Sequence, residues 1–257
     1  MKAVILAGGY GTRLSEETGV RPKPMVTIGE RPILWHIMKH YSSHGVHDFV
    51  ICCGYKGHMI KDYFLHYRLY HADLTVDLAT DEATFHNGDA APWTVTMVDT
   101  GDGTMTGGRL KRVQHLIGDE TFCMTYGDGV SDVDIRSLIE FHQGHQKKAT
   151  LTAVQQPGRF GTFTLEPGSS AVRKFKEKPV EDTAWINGGF FVLEPAVFDY
   201  IEGDDTIWEQ GPLRQLTGEG QLAAFRHPGF WQPMDTLNDK HVLEDLWRNG
   251  DKPWKVW

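Results

Sequence analysis

Lys2-Ala3-Val4-Ile5-Leu6-Ala7-Gly8-Gly9-Tyr10-Gly11-Thr12-Arg13-Leu14 joins a short apolar run to three glycines, a hydroxyl and an arginine. Ala3 to Leu6 carries no charge, which predicts a strand buried on both faces of a parallel sheet. Gly8, Gly9 and Gly11 then fall at the carboxyl end of that strand, where open α/β sheets bind ligands. Without Cβ atoms the backbone can approach a polyphosphate, and its N–H groups can turn inward as an anion nest. Thr12 adds a donor, and Arg13 adds a permanent, forked cation suited to phosphate oxygens.

Two familiar phosphate-binding patterns do not fit. The dinucleotide fingerprint G-x-G-x-x-G finds Leu14 where its third glycine should allow close helix packing. A Walker loop requires Gly-Lys followed by Ser or Thr, and the chain contains no such run. A hydride-transferring Rossmann enzyme falls away with the failed fingerprint.

Composition narrows the partners. With 26 basic against 34 acidic residues the net charge is −8, which argues against nucleic acid or an anionic membrane as the main partner. Anion binding must therefore come from local geometry. No apolar run approaches the ~18 residues of a spanning helix, and the N-terminus turns into a strand too early for a signal peptide, so a cytoplasmic protein is expected. Cys52 and Cys53 are adjacent in a strand and should face opposite sides of the sheet, which with Cys123 makes a disulfide framework unexpected. His142 and His145 lack further ligands at metal spacing.

Along the chain, strand-like and helix-like segments alternate as far as residue 148: strand Ala3 to Leu6, helix Ile33 to Ser42, strand Phe49 to Cys53, helix Met59 to Tyr67, strands Leu74 to Leu78 and Val95 to Val98, helix Thr106 to Leu116, strand Phe122 to Thr125 and helix Ile135 to His142. Such alternation predicts an α/β fold, a mostly parallel open sheet with helices on both faces in the Rossmann manner. After Ala149 the pieces Leu151 to Val154, Phe163 to Leu165, Val172 to Phe175 and Phe190 to Leu193 are short, β-rich and separated by glycine and proline. They suggest a smaller antiparallel portion laid against the sheet. Pro195 to Ile201 and Leu237 to Trp247 return to helix. A single domain over 1–257 is expected, with 1–148 as its ligand-binding α/β part and 149–257 as the antiparallel part with the last helix.

Further motifs follow the glycine loop. Arg21-Pro22-Lys23-Pro24-Met25 holds Lys23 between two prolines on a stiff segment. Tyr126-Gly127-Asp128-Gly129 places a carboxylate at the end of another buried strand, although Asp-Gly alone also marks a tight turn. Asp235, in Trp231-Gln232-Pro233-Met234-Asp235-Thr236, can be read as a metal ligand or as the N-cap of the following helix. Glu177-Lys178-Pro179 and Asn187-Gly188-Gly189 complete the set.

In this order, A-G-G-x-G-T-R-L, K-P-M, Y-G-D-G, E-K-P and N-x-G resemble the signatures of the sugar nucleotidyltransferases, also called nucleotide-sugar pyrophosphorylases, over nearly the whole chain. Tyr10 departs from the apolar residue more usual at its position, which bears on loop packing more than on phosphate donors. The resemblance implies a nucleotide site of Leu6, Ala7, Gly8, Gly9, Gly11, Thr12, Arg13, Lys23, Thr104 and Arg109, with Arg109 on the triphosphate from its own or a neighbouring subunit. It implies Mg²⁺ on Asp128 and Asp235, a donor set of few carboxylates plus substrate phosphates that suits this ion. Tyr126, Gly127, Glu177, Lys178 and Asn187 would hold the sugar phosphate, with Arg13, Lys23 and Asp128 carrying catalysis.

Blocks such as Cys52-Cys53-Gly54-Tyr55-Lys56-Gly57 and Met105-Thr106-Gly107-Gly108-Arg109 are similar to members that use CTP and glucose 1-phosphate, and imply a homo-oligomer, a hexamer. Asp81, after the strand Leu74 to Leu78, is the candidate acceptor for the exocyclic amine of cytosine, an alternative being a backbone carbonyl. The expected reaction is in-line attack of the sugar 1-phosphate on the α-phosphorus, with pyrophosphate leaving. A uridylyl-, thymidylyl- or guanylyltransferase on the same scaffold, or a catalytically silent nucleotide-sensing subunit, are the competing readings.

Overall fold

The computed structural model describes residues 1–88, 91–156, 162–166, 170, 172–176 and 184–257. Its centre is a seven-stranded sheet. In chain order the strands are β1 (Lys2–Ala7), β2 (Asp48–Cys53), β3 (Thr94–Asp99), β4 (Phe122–Tyr126), β5 (Ala149–Val154), β6 (Ile186–Leu193) and β7 (Leu222–His227). Across the sheet they lie in the order β3-β2-β1-β4-β6-β5-β7. All neighbouring pairs are parallel except those made by β6, which runs against both β4 and β5.

The uncharged run Ala3 to Ala7 of β1 follows from burial on both sides. Ala3, Ile5 and Ala7 enter one core with Ile33, Ile37 and Tyr41 of helix Ile33–Ser43 and with Leu138 of helix Ile135–His145. Val4 and Leu6 enter the other, with Leu110 of helix Thr106–Arg112 and Leu216 of helix Gly211–Gly218. Cys53 lies in the first core and Cys52 in the second; both, and Cys123, are buried free thiols.

Several expected elements differ. Leu151–Val154 and Phe190–Leu193 are not a separate antiparallel layer; they belong to β5 and β6, within the main sheet. Phe190 and Val192 enter the first core and Phe191 and Leu193 the second, while Thr152, Ala153 and Val154 are buried in β5, so both strands need cover from the sheet's neighbours. Thr162–Leu165 and Val172–Lys176 do form a small antiparallel pair of their own. The strand expected at Leu74 to Leu78 is not in the sheet either: Asp73–Asp77 pairs only with Glu82–His86, in an exposed hairpin. The edge strand β7, half polar in Leu222-Ala-Ala-Phe-Arg-His, and helix Gly211–Gly218 escaped the sequence reading. The helix expected from Thr106 to Leu116 breaks after Arg112 and resumes at Gln114–Ile117, and Pro195–Tyr200 is a 3₁₀ segment.

Candidate active site

Where the strand order turns back beside β1, the carboxyl ends of β1 and β4 border a cavity of about 380 Å³. Leu6, Ala7, Gly8, Gly9, Gly11, Thr12, Arg13, Lys23, Thr104, Arg109, Tyr126, Gly127 and Asp128 all line it. The glycine loop leaves β1, reaches a left-handed residue at Gly11 (φ 63°) and enters the 3₁₀ turn Thr12–Leu14. Leu14, where a dinucleotide loop would carry glycine, is fully buried. Gly8 directs its carbonyl into the protein, where it accepts from Tyr55 N–H (3.2 Å) and Arg109 Nη2 (3.0 Å). Because the peptide is planar and trans, the N–H of Gly9 points the opposite way, toward the cavity. Among the described residues no acceptor bonds the N–H groups of Gly9, Tyr10 or Gly11, so they remain available to an anion.

Two aspartates distant in sequence meet on one lysine. Gly129–Ser131, directly after Asp128, pairs with Trp231–Pro233, and Met234 N–H donates to Asp128 O at 2.8 Å. This ribbon places Asp235 beside Asp128. Lys23, buried in the short 3₁₀ turn after Pro22, donates from Nζ to Asp128 Oδ2 (2.7 Å) and Asp235 Oδ1 (2.6 Å). Arg13 Nη1 lies 2.8 Å from Asp235 Oδ2. Burial alone would lower the Lys23 pKa, but the charges and hydrogen bonds of the two carboxylates outweigh it and hold the ammonium above its ordinary value. The N-cap of helix Leu237–Asn249 is Thr236, in a capping box with Asp239, so capping does not engage the Asp235 carboxylate.

Mg²⁺ can be tested against this geometry. Asp128 and Asp235 already converge on a single cation, and a few carboxylates completed by substrate phosphates and water form the donor set Mg²⁺ prefers. The residues present fit the ion.

Other expected residues are placed differently. Arg109 lies in helix Thr106–Arg112, is 4% exposed, and bonds its guanidinium to its own chain. Nη1 donates to Cys53 O, Thr100 Oγ1 and Gly101 O, and Nη2 to Gly8 O and Asp102 O, at 2.7–3.3 Å. In this arrangement it braces the loops around the cavity that it also lines. A Cβ on Gly8 would overlap that guanidinium, which explains glycine there. Asp81 occupies the exposed turn of the Asp73–Asp77/Glu82–His86 hairpin at φ 58° and is not among the cavity's lining residues. The reason is that its preceding strand pairs locally instead of joining the sheet. Asn187 does not line the cavity but donates from Nδ2 to Tyr126 Oη at 3.4 Å. Glu177 and Lys178 lie outside the described residues.

The wall Asp102, Gly103, Met105 and Thr106 was missed as a group apart from Thr104. So was Glu209, which binds Thr106 and Tyr126 together. Nothing in the local pattern Trp208-Glu209-Gln210 signals it; only the fold brings it to the site.

Known proteins resemble the chain at three levels. It is 61% identical over 258 residues, covering 100% of both chains, to glucose-1-phosphate cytidylyltransferase of Salmonella typhi. It is 30% identical to mannose-1-phosphate guanyltransferase of Yarrowia lipolytica, over 93% of this chain and 62% of that protein. The solved structure of UDP-glucose pyrophosphorylase from Acinetobacter baumanii shares the fold with a TM-score of 0.71 at 17% identity, over 98% of this chain and 95% of that one. Residues 2–214 match the family model described as nucleotidyl transferase, and the chain, whose glycine loop, Lys23 and Asp128 lie within that match, belongs to the nucleotidyl transferase family.

Proposed function

We propose that the protein transfers the cytidylyl group of CTP to glucose 1-phosphate, forming CDP-glucose and pyrophosphate. The carrying observation is the conjunction, in one cavity, of unpaired glycine-loop amides with a lysine shared by two aspartates. The full-length similarity to a glucose-1-phosphate cytidylyltransferase at 61% identity supports CTP over the guanylyl reading, whose representative stands at 30%.

No protein nucleophile is needed. A phosphate monoester, with a second pKa near ~6, is mostly dianionic at neutral pH and attacks without a general base. The difficulty is to join two anions and stabilise the leaving pyrophosphate. The loop amides orient the triphosphate, and Arg109 holds the loop in shape from behind. Mg²⁺ on Asp128 and Asp235 would neutralise charge on the triphosphate oxygens. Lys23 and Arg13 pair with those same carboxylates in the free protein. In the substrate complex their charge would serve the phosphates, Lys23 at the reacting α-phosphate. Tyr126 and Gly127 line the sugar-phosphate side in this reading and Asn187 supports Tyr126 from behind, and the resemblance gives Glu177 and Lys178 the same substrate.

The reading also takes 1–148 as the nucleotide part of one domain and 149–257 as the sugar-phosphate part. It takes the protein as a cytoplasmic homo-oligomer, a hexamer by family resemblance. Leu65, Tyr70, Val76 and Leu78, exposed on and beside the hairpin, supply apolar surface for such contacts.

The test is pyrophosphate release from each nucleoside triphosphate with glucose 1-phosphate and Mg²⁺. Fast release is expected with CTP and glucose 1-phosphate together, and much slower release with the other triphosphates. Release that does not require glucose 1-phosphate, or none with any triphosphate, would overturn the proposal.

A further inference from the structure

Glu209 lies between the 3₁₀ segment Pro195–Tyr200 and helix Gly211–Gly218, outside the lining of the cavity. Its half-buried carboxylate accepts two hydroxyls, one from each wall. Thr106 Oγ1 donates to Oε2 at 2.7 Å, and the Tyr126 hydroxyl donates to Oε1. Thr106 opens the helix that carries Arg109, while Tyr126 closes β4 two residues before Asp128.

The two attachments are of different kinds. The Thr106 wall is already bound to the segment leading to Glu209 by backbone. Met105 N–H donates to Asp204 O (2.8 Å), Gly107 N–H to Thr206 O (2.9 Å), and Trp208 N–H to Thr106 Oγ1 (3.0 Å). The opposite wall is reached through the Tyr126 hydroxyl. That hydroxyl also accepts from Asn187 Nδ2, whose own Oδ1 accepts from Gly189 N–H at 2.9 Å. A continuous chain thus runs Thr106, Glu209, Tyr126, Asn187.

We propose that Glu209 is a positioning residue for the transfer, which fixes the spacing of the two cavity walls through Thr106 and Tyr126 and orients Asn187 through Tyr126. This rests on the cavity being the meeting place of the two phosphates. In-line displacement depends steeply on that spacing, a misplacement of about 1 Å costing on the order of 100-fold in rate.

The experiment is a double-mutant cycle of Glu209→Ala and Tyr126→Phe, with Glu209→Gln alongside. It reads kcat, KM for glucose 1-phosphate, calorimetric affinity for CTP, and Tm. Glu209→Ala should lower kcat roughly 10- to 100-fold and raise KM for glucose 1-phosphate, with CTP affinity within about 3-fold of wild type. Tyr126→Phe should do much the same, and the double variant should be little worse than the worse single one, because both remove one linkage. Glu209→Gln, which keeps an acceptor oxygen, should lose less than Glu209→Ala. Multiplicative effects in the double variant, or a Glu209→Ala protein with lowered Tm but wild-type kinetics, would overturn the role. A wild-type protein inactive on CTP and glucose 1-phosphate would instead sink the reading of the site.

Discussion

Lys23 touches both Asp128 and Asp235, yet the lysine and the two carboxylates do different work. Lys23→Ala should depress kcat by about 10³-fold, equivalent to ~4 kcal/mol of transition-state stabilisation, because its charge is assigned to the reacting phosphate. An effect confined to KM for glucose 1-phosphate would contradict that assignment. Asp128→Asn and Asp235→Asn should each lower turnover to a similar extent at saturating Mg²⁺. Thr236→Ala is the contrast: it removes the helix cap, should cost about 1 kcal/mol of stability, and should spare turnover. If Asp235→Asn lowered Tm and left turnover intact, Asp235 would be a structural residue and the carboxylate pair would be dissolved.

The glycine loop depends on a partner from another element. Arg109, on helix Thr106–Arg112, grips the Gly8 carbonyl and the loop after β3 with a fork that lysine cannot reproduce. Gly8→Ala would drive a methyl into that guanidinium, so the loop or Arg109 must shift. We expect KM for CTP to rise about 10-fold or more, with the two sheet-face cores unaffected. Arg109→Lys should give the same phenotype with a lower Tm. CTP titrations of both variants check this; unaltered CTP affinity in both would show that the loop holds its shape without the brace. The antiparallel ribbon Gly129–Ser131 with Trp231–Pro233 plays a similar part for Asp128 and Asp235, which owe their proximity to the pairing of these two short strands rather than to any sequence spacing.

At the scale of the molecule, stability should depend on pH through two histidines of helix Ile33–Ser43. Burial lowers the pKa of both His36 and His40 to about 4, against an ordinary 6.5. Each bonds through Nε2 to a backbone carbonyl, Ile28 O and Val133 O respectively. The unfolded chain takes up these protons below pH 6.5, whereas the folded chain resists them until about pH 4. Stability is therefore complete above pH 6.5 and declines as pH falls toward 4, by on the order of 3 kcal/mol per histidine at the foot of that window. Urea midpoints at pH 7.5 and pH 5 measure it, and equal midpoints would refute it. The whole assembly also sets base choice: CTP should be used well ahead of UTP at matched concentrations, since an acceptor that bonds the cytosine amine faces an oxygen in uracil. Asp81→Ala should leave that preference unchanged if a backbone carbonyl supplies the acceptor. Loss of the preference would return the task to Asp81.

The sequence by itself determined the parts whose physics is local. An uncharged strand must be buried on both faces, glycines followed by Thr12 and Arg13 suit an anion, and Pro22 and Pro24 stiffen the segment of Lys23. These made the parallel half of the sheet and the phosphate loop legible from the N-terminal residues alone. Tertiary structure decided what depends on register between distant segments. It set Lys23 between Asp128 and Asp235, tied Arg109 to the carbonyls of the loops around the cavity, placed Asp81 on a hairpin, and brought Glu209 to two hydroxyls. The division has a physical reason: hydrophobic periodicity and turn chemistry act over a few residues. A carboxylate finds its partner only when strand pairing fixes main-chain positions a hundred residues apart, as between Asp128 and Asp235.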